Sequence, residues 1–364
     1  MTATKSVLAD PSYRGSQISV LNPLKDSRWG QFVEQHPDAS VFHTVGWLGA
    51  LHRTYGYEPV VVTTSVGNGP LSNGLVVCKV NSWATGNRLV SLPFSDHCEP
   101  LVKSPEELEF LTSALKTEVK RSGSKYVELR PLLMIPDEVT EKICLTREHT
   151  YCVHRLELNT SLDTLYSGFH PSCVQRKIRK AERLSLDYEE GCSEEMLSKF
   201  YALLLRTRRR HQLPPQSRSW FRNLATYMGE KMQVRVASFA GKPVAAIVTC
   251  QHRDTMMYKY GCSDAMHNNL GGGVLLIWRA LQDAHARGMR WFDFGRTSLT
   301  NAGLITFKKH WGASMTALEY YRFPDEPAVN IQSGWKRWVI ERSCAHLPDP
   351  LLETLGALLY RHAG

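Results

Sequence analysis

The chain has 364 residues, which corresponds to roughly two domains at about 100–200 residues per domain. Apolar residues make up 43% of it and charged residues 22%, a balance typical of soluble globular proteins that excludes an intrinsically disordered chain. Basic residues outnumber acidic ones, and the formal net charge is +9 at pH 7. This charge suits a polyanionic partner such as a phosphorylated substrate, RNA or an acidic membrane face, although a generic basic surface is the alternative.

Sequence motifs exclude several further classes of protein. The longest apolar stretch, residues 271–278, is far too short to span a bilayer, and the first ten residues contain no apolar segment of a signal peptide. The nine cysteines include no Cys-x-x-Cys pair, which favours free thiols in a reducing cytoplasm over a zinc site. The sequence contains no nucleophile elbow of a serine hydrolase, no Walker A loop and no His-Glu-x-x-His metal motif.

The two halves of the chain repeat the same order of predicted elements. Each half has a hairpin with glycine and proline in its turn, then a helix, and then a strand that begins just after a glycine. The matching segments are 59–78 and 233–248 for the hairpins, 104–121 and 273–287 for the helices, and 126–129 and 291–294 for the strands. The repeat predicts two related α/β units, and chance similarity of two α/β segments is the alternative.

The repeat also indicates domain boundaries. We expect an N-terminal domain at residues 1–152, a C-terminal domain at 153–326 and a helical tail at 327–364. Apolar side chains recur at helical spacing in the tail. They are Trp335, Trp338, Val339, Leu351, Leu352, Leu355, Leu358 and Leu359. Helices that pack on the body of the protein are the expected structure, and a helix on a membrane surface is the alternative.

A glycine-rich loop is a candidate ligand site. Gly271, Gly272 and Gly273 follow Asn268 and stand between a predicted strand and the apolar helix that begins at Val274. Glycines let backbone N–H groups approach a phosphate closely, and the start of a helix adds partial positive charge. Three glycines at this place favour a phosphate cradle, and the alternative is a close helix–strand crossing that needs small residues.

At this loop the sequence resembles the GNAT acyltransferases, in which the pattern Gln/Arg-x-x-Gly-x-Gly/Ala between a strand and a helix binds acyl-CoA. Gly271 and Gly273 match the pattern, whereas Asn268 stands at its Gln/Arg position. A wider resemblance, over most of residues 18–325, is to the FemAB-like proteins, tandem GNAT-like folds related to the aminoacyltransferases that build peptidoglycan cross-bridges. The stretches that carry it are 91–96, 176–182, 207–216, 292–297 and 301–313.

The chain lacks a long coiled-coil arm, so it resembles the armless type, which includes homologues associated with exopolysaccharide production. The resemblance implies a mixed α/β fold of two tandem GNAT-like domains with a C-terminal helical tail. It places the main active cleft in the second domain and gives the first, degenerate domain the acceptor side.

Three residues are candidate catalytic groups. The resemblance implies that Lys308 faces the reacting ester and helps to stabilise the developing oxyanion, and an exposed lysine is the alternative. Asp96 follows a strand end in the first domain, where it either helps to place or deprotonate an acceptor amine or caps its loop. Asp293 alternates with two phenylalanines and points away from their apolar face, so we expect it to orient Arg296 or to sit in the cleft.

Basic side chains are the candidates for binding phosphate groups or the acceptor. They are Arg176, Arg179, Lys180, Arg209, Arg210, His211 and Arg296. Arg176 and Lys180 lie with Arg183 along one helical face, and Arg179 lies at its edge. This face suits a nucleotide diphosphate or a tRNA acceptor end, or is simply solvated. The basic run at residues 206–211 is so dense that it predicts an anionic ligand or acidic partners within the fold.

These features predict an acyltransferase. We expect it to move an acyl or aminoacyl group from acyl-CoA or aminoacyl-tRNA to an amine, or to a hydroxyl, of a cell-envelope peptide or glycan precursor. We expect no metal and no tightly bound cofactor, because direct attack on an ester or thioester needs neither. The expected partners are a phosphorylated or lipid-linked precursor, tRNA and the inner membrane surface, reached from the cytoplasm. The alternative is a non-catalytic basic binding protein with the same fold.

Overall fold

The computed structural model describes residues 18–324 and 347–363, and this part of the chain builds a twelve-stranded mixed sheet. The strands are β1 Ser19–Leu21, β2 Glu58–Thr63, β3 Leu75–Val80, β4 Arg88–Val90, β5 Val127–Leu129, β6 Thr146–Glu157, β7 Asp187–Gly191, β8 Met232–Phe239, β9 Lys242–His252, β10 Thr255–Ser263, β11 Trp291–Ser298 and β12 Ser314–Phe323. Their order across the sheet is β1-β2-β3-β4-β5-β12-β6-β11-β10-β9-β8-β7. Two neighbouring pairs are parallel, β4 with β5 and β10 with β11, and the others are antiparallel.

Eleven α-helices cover the two faces of the sheet in the described residues. They are α1 Ser27–Gln35, α2 Val45–Tyr55, α3 Pro105–Ser122, α4 Asp137–Lys142, α5 Leu162–Gly168, α6 Arg176–Arg183, α7 Glu194–Arg210, α8 Arg218–Met228, α9 Gly272–Ala286, α10 Ala302–Lys309 and α11 Asp349–Ala363. Helix α3 shows how local sequence sets helix ends. The side chain of Ser104 accepts a hydrogen bond from the backbone N–H of Glu107 at its start, and Gly123 ends it with a φ of 63°.

The two halves of the chain repeat one topology. In each half a helix connects the two parallel strands: α3 joins β4 to β5, and α9 joins β10 to β11. β5 and β11 therefore occupy equivalent positions, as the repeat of 126–129 at 291–294 predicts. The antiparallel pairs β2–β3 and β8–β9 correspond in the same way. The predicted internal duplication is confirmed.

The last strands of the two halves are exchanged. β12, at the end of the second half, pairs with β5 of the first, and β6 pairs with β11 of the second. β6 and β12 also pair with each other at the centre of the sheet. The boundary expected at residues 152 and 153 lies inside β6, so a cut there divides a paired strand. The division of the chain at 152 and 326 stays a prediction.

A large apolar core on one face of the sheet takes side chains from both halves. Within it, Trp47 of α2 meets Trp220 of α8 edge to face, with ring centroids 5.4 Å apart. Gly46 lets these helices approach so closely, since a Cβ there would lie 2.5 Å from the carbonyl oxygen of Tyr227. Two further cores lie around α9 and α3 on the opposite face. The shared core fixes how the two halves meet.

Helix α11 packs on the body of the protein, as the apolar stripe predicts, but Leu351 and Leu358 of that stripe are exposed. Leu352 is fully buried in the shared core, and the hydroxyl of Tyr57 donates a hydrogen bond to the carbonyl oxygen of Tyr360 at 2.7 Å. The other apolar tail residues that share the predicted spacing lie outside the described residues: Trp335, Trp338 and Val339.

Two further sequence expectations concern membranes and thiols. Within the described ranges, every helix is too short or too polar to cross a lipid bilayer. The eight cysteines of these ranges are free thiols: Cys78, Cys98, Cys144, Cys152, Cys173, Cys192, Cys250 and Cys262.

Candidate active site

The sheet opens between β10 and β11. Their ladder ends at Met257 and Asp293, although both strands continue beyond it within the described residues. Strand β11 also bulges here, and its register with β6 shifts between Asp293 and Arg296. Gly295 lies in the bulge at a φ of 72°, where a Cβ would stand 2.6 Å from the carboxylate of Asp96. The bulge therefore requires glycine and brings the first half of the chain against the second.

Lys308, a predicted catalytic residue, lies at this bulge. Its side chain comes from α10, is 2% exposed, and donates to the carbonyl oxygens of Gly295 at 2.7 Å and Arg296 at 3.3 Å. These bonds use two of its three N–H donors and leave one N–H for a further acceptor. Burial lowers the pKa of Lys308 to about 8, although two nearby carboxylates favour its charged form. The alternative of an exposed lysine is wrong for Lys308 and holds for Lys309.

Asp96 is paired with a lysine that the sequence analysis missed. The ammonium group of Lys259 lies 2.9 Å from the carboxylate of Asp96 and faces the rings of Phe42 and Trp47. Burial would raise the pKa of Asp96, but the charges of Lys259 and Arg296 outweigh burial and hold that pKa below its usual value. A lysine within the apolar strand β10 is the signal that could have indicated this pair.

Asp293 lies in the cleft, one of its two predicted positions. One carboxylate oxygen accepts a hydrogen bond from the backbone N–H of Gly295 at 2.6 Å, and the other lies 3.1 Å from Nε2 of His97. The alternative, that Asp293 orients Arg296, is wrong, because the bulge directs that guanidinium to the hydroxyl of Tyr320 at 2.7 Å. His97 is thus a site residue that the sequence analysis did not single out, although it directly follows a predicted catalytic residue.

A cavity of about 360 Å³ lies at the start of α9 and extends to Tyr258, next to the sheet opening. We call it the donor cavity. The residues predicted to bind the donor all line it: Asn268, Gly271, Gly272 and Gly273. The structure therefore brings the glycine loop and the open strands into one continuous region.

The three glycines have different surroundings. Gly271 has a φ of 83°, and a Cβ there would lie 2.8 Å from the carbonyl oxygen of Lys177. A Cβ at Gly272 would lie 3.2 Å from the Cβ of Ala245, whereas at Gly273 it would meet nothing within 4 Å. Close packing therefore accounts for the first two glycines but not for Gly273. The first N–H groups of α9 have no partner within the helix, and Gly273 leaves open space beside them.

A family model described as an acetyltransferase (GNAT) domain matches residues 172–309, which include the glycine loop, the bulge and Lys308. This part of the chain therefore resembles a GNAT acetyltransferase domain. No curated protein matches the sequence.

Solved structures share the fold over most of the chain. The crystal structure of FemX aligns with a TM-score of 0.67 and 12% identity, over 81% of this chain and 95% of that one. A tandem GNAT protein from the clavulanic acid biosynthesis pathway aligns with a TM-score of 0.53 and 13% identity, over 86% and 100%. The C-terminal domain of a putative lysylphosphatidylglycerol synthetase from Agrobacterium fabrum aligns with a TM-score of 0.54 and 11% identity, over 84% and 93%. These likenesses confirm the predicted mixed α/β fold with tandem GNAT-like architecture.

The basic run before residue 212 is divided between the donor cavity and the rest of the fold. Arg210 and His211 line the donor cavity, as expected for phosphate-binding residues. Arg209 points elsewhere and pairs with Asp349 at the start of α11. The expected acidic partner within the fold is confirmed at Arg209, and the anionic ligand stays a prediction.

Helix α6 holds three of the predicted cations away from the donor cavity. Arg176 and Arg179 are exposed and Lys180 is half-buried, and all three lie outside the set of described residues that line the donor cavity. Lys177, which the sequence analysis did not select, lines it. Arg296 lies apart from this helix at the sheet opening.

A second cavity, of about 350 Å³, lies on the other face of the sheet, and we call it the acceptor-side cavity. Met257 and Asp293, the last paired residues of β10 and β11, line it, whereas Tyr258 lines the donor cavity. Successive side chains of a strand point to opposite faces, so the two cavities reach the sheet opening from opposite sides. His97 and Glu99 also line the acceptor-side cavity, which therefore lies between the two halves of the chain.

Three side chains with metal-ligand chemistry meet where α10 ends. Among the described residues, His170, Cys173 and His310 have ligand atoms within 4.8 Å of one another. Nδ1 of His170 accepts hydrogen bonds from the backbone N–H groups of Ser172 and Cys173, so a metal at this imidazole would either displace those bonds or require loss of the Nε2 proton. The positive charge of Lys177 also acts on His310. The arrangement suits a helix cap better than a cation site.

Proposed function

We propose that the chain transfers an acyl group from acyl-CoA directly to an amine of a cell-envelope precursor. The observation that carries the proposal is the opening between β10 and β11, which one cavity reaches from each face of the sheet. A donor on one face and an acceptor on the other would meet at this opening, beside the ammonium group of Lys308. Holding two reactants in this way makes their reaction effectively unimolecular.

The groups that line the donor cavity suit a ligand with phosphate groups. The start of α9 supplies backbone N–H donors and the positive end of the helix dipole, and Gly273 leaves room for a phosphate beside them. Lys177, Arg210 and His211 line the same cavity. The diphosphate of CoA would use these groups, and its thioester would extend past Tyr258 towards the sheet opening.

The proposed chemistry needs no covalent enzyme intermediate. The amine nitrogen attacks the thioester carbonyl carbon, the C–N bond forms, the C–S bond breaks, and the proton lost by the amine ends on the thiolate of CoA. The carbonyl oxygen carries negative charge in the tetrahedral intermediate, and the third N–H of Lys308 would donate to it. One such donor typically contributes about 10²–10³-fold to the rate.

Several observations support an acceptor from the cell envelope. The sequence resembles the FemAB-like aminoacyltransferases of peptidoglycan, and both FemX and a domain of a putative lysylphosphatidylglycerol synthetase share the fold. The net charge of +9 suits a phosphorylated or lipid-linked precursor and a peripheral contact with the inner membrane surface. A hydroxyl of an exopolysaccharide precursor is the less favoured acceptor within the same proposal.

Aminoacyl-tRNA is the second candidate donor. Arg176, Arg179 and Arg183 are exposed on α6, and Lys177 of the same helix lines the donor cavity. A row of arginines beside the cavity suits the phosphates of a tRNA acceptor end. The same sheet opening and the same lysine would serve transfer from either donor.

The donor assignment is tested by binding and by turnover. Gly273→Leu places a side chain where the structure has open space, and Gly168→Leu is a matched control, since a Cβ at Gly168 also meets nothing within 4 Å. We expect Gly273→Leu to weaken CoA binding about tenfold or more, as measured by calorimetry, and Gly168→Leu to leave it unchanged. Equal affinity in both variants would contradict the phosphate cradle.

Turnover distinguishes an enzyme from a binding protein. Wild-type protein is incubated with glucosamine and either acetyl-CoA or aminoacyl-tRNA, and released thiol or deacylated tRNA is measured. Acyl transfer from acetyl-CoA supports the first donor, and transfer only from charged tRNA supports the second. Binding of both donors without release of either product would favour the non-catalytic alternative.

A further inference from the structure

His97 and Asp293 form a buried pair in the wall of the acceptor-side cavity. His97 is 4% exposed and Asp293 is 1% exposed. The carboxylate accepts a hydrogen bond from Gly295 through one oxygen, and its other oxygen lies 3.1 Å from Nε2 of His97. An ionised carboxylate can only accept hydrogen bonds, so the imidazole proton lies on Nε2. In the neutral imidazole, Nδ1 of His97 therefore carries a lone pair.

This lone pair has no partner among the described residues. Nδ1 of His97 is buried and makes no hydrogen bond within them. A buried acceptor without a hydrogen bond is unfavourable, so a ligand that supplies an N–H or O–H to it gains affinity. Because His97 lines the acceptor-side cavity, a molecule bound there can provide that donor.

We propose that His97 is the catalytic base of the transfer, that Asp293 is its positioning residue, and that the acceptor's nucleophile binds in the acceptor-side cavity. This inference rests on the proposed function and deepens it. The ladder between β10 and β11 ends at Asp293, so the base lies at the sheet opening that the donor reaches from the other face.

The proton follows a closed path. Nδ1 of His97 takes the proton from the attacking amine as the C–N bond forms, and the carboxylate of Asp293 stabilises the imidazolium. The imidazolium then gives the proton to the thiolate when the C–S bond breaks, which restores the neutral imidazole. Asp96 is less suited to this role, because Lys259 and Arg296 hold its pKa low and its carboxylate binds a proton weakly.

The acceptor-side cavity also indicates the chemistry of the acceptor. Nε of Arg155 is buried without a hydrogen-bond partner in the described chain, and Arg155 lines the cavity with its guanidinium 4.3 Å from the ring centre of Trp291. The cavity thus offers a free acceptor at His97 and a free donor at Arg155. A ligand with both an amine and an oxygen, as in an amino sugar, offers a partner to each group, and a plain alkylamine offers a partner only to His97.

Charges of both signs surround His97: Lys259 pairs with Asp96, and the charges of Lys308 and Arg155 act on Asp293. Asp293 faces it from β11, Asp96 and Glu99 flank it in its own loop, and His43 approaches from the turn at Val41–His43. Burial raises the pKa of Glu99 and lowers that of His43 to about 3, so His43 is uncharged near pH 7. The acidic neighbours stabilise the imidazolium that the proposed step forms.

The test compares His97→Gln and Asp293→Asn with wild type in transfer from acetyl-CoA to glucosamine between pH 6 and 9. The amide nitrogen of glutamine can still donate to Asp293 but cannot accept the amine proton. Asparagine at 293 presents an N–H to the imidazole and so favours the wrong tautomer. We expect kcat/KM at pH 7 to fall at least about 10²-fold in both variants, with an unchanged KM for acetyl-CoA. His52→Gln, an exposed control, should change neither.

The pH profile separates catalysis from structure. The loss should shrink as the pH rises, because more of the amine then loses its proton to water. His97→Gln with the wild-type rate at pH 7 would overturn the inference. So would an equal loss at every pH with a raised KM for acetyl-CoA, which indicates a structural role.

A measurement without turnover separates this inference from the proposed function. Nitrogen NMR of labelled histidine reports the tautomer, with the His97 signal assigned by its loss in His97→Gln. We expect the Nε2–H tautomer in wild type and a change in Asp293→Asn, and the Nδ1–H tautomer in wild type would overturn the inference. Wild-type protein that transfers from no donor contradicts the proposed function, whereas turnover retained in His97→Gln contradicts only the role of His97.

Discussion

At the scale of single residues, Lys308 has both a structural and a proposed catalytic part. Its ammonium group satisfies two carbonyl oxygens at the bulge, those of Gly295 and Arg296, which lie 2.7 and 3.3 Å away. The third N–H is the one proposed to meet the oxyanion. Substitution of this lysine therefore affects the folded state as well as the reaction, and the two effects need separate measurements.

Lys308→Met keeps the aliphatic volume and removes the charge. We expect kcat/KM for acyl transfer to fall about 10²–10³-fold, the usual loss for one oxyanion donor. We also expect the free energy of unfolding to fall by about 1–3 kcal/mol, because two buried carbonyl oxygens lose their donor. Chemical denaturation measures the second effect. The exposed Lys309→Met should show neither loss, and equal losses at both positions would indicate general electrostatics.

The pKa of Lys308 predicts an alkaline limb in the rate. Burial lowers that pKa to about 8, so the ammonium form is present below pH 8 and is lost as the pH rises through it. The rate of acyl transfer should therefore fall above about pH 8, as measured from kcat between pH 7 and 10. The limb should be absent from the residual activity of Lys308→Met and present in Lys309→Met. A flat profile in wild type would contradict a catalytic cation at this position.

The sequence predicted several individual residues of the site but not their partners. Lys308, Asp96 and Asp293 meet at the bulge, yet the Asp96–Lys259 pair joins residues 163 positions apart, and the His97–Asp293 pair joins residues 196 apart. Periodicity and local motifs contain no information about contacts over such separations. The glycine loop shows the same limit. The sequence does not tell which glycine is needed for packing and which leaves room for a ligand, because that depends on the residues that face each glycine in the fold.

At the scale of elements, helix α11 is held by a close contact with the loop before α8. Gly356 faces this loop, and a Cβ there would overlap the carbonyl oxygen of Pro215. Gly356→Ala should therefore displace α11 and lower the free energy of unfolding, in spite of the higher helix propensity of alanine. Gly303→Ala in α10 is the control, because its nearest neighbour would be 3.9 Å away, and it should be neutral or stabilising. Two equally stable variants in urea denaturation would contradict this packing.

Helices and hairpins were predictable because their signals are local. Ser104 and Gly123 bound α3 by capping, and turn residues mark the hairpins of both halves. No local signal predicts the exchange of β6 and β12. The alternation of apolar and polar residues in each strand fits either neighbouring strand equally well. The expected boundary at residue 152 therefore lies within a strand.

At the scale of the whole molecule, the exchanged strands make each half depend on the other. β5 needs β12 from the second half, and β11 needs β6 from the first. We expect fragments 1–158 and 159–364 to lack cooperative unfolding when each is alone, and their mixture to recover it. Near-ultraviolet circular dichroism during thermal denaturation would show this, with the full chain as reference. A fragment that unfolds cooperatively alone would contradict mutual dependence of the halves.

The exchange also means that, during synthesis on the ribosome, β5 has an unpaired edge until β12 has been made. About 190 residues separate the end of β5 from the end of β12, and translation adds about 5–20 residues per second. The outer edge of β5 therefore waits for about 10–40 s before its partner exists, and an unpaired edge can recruit strands from other nascent chains. β5 spans only Val127–Leu129, and so short an edge limits this hazard. Ribosomes that stall in the second half should release aggregation-prone chains that chaperones must hold.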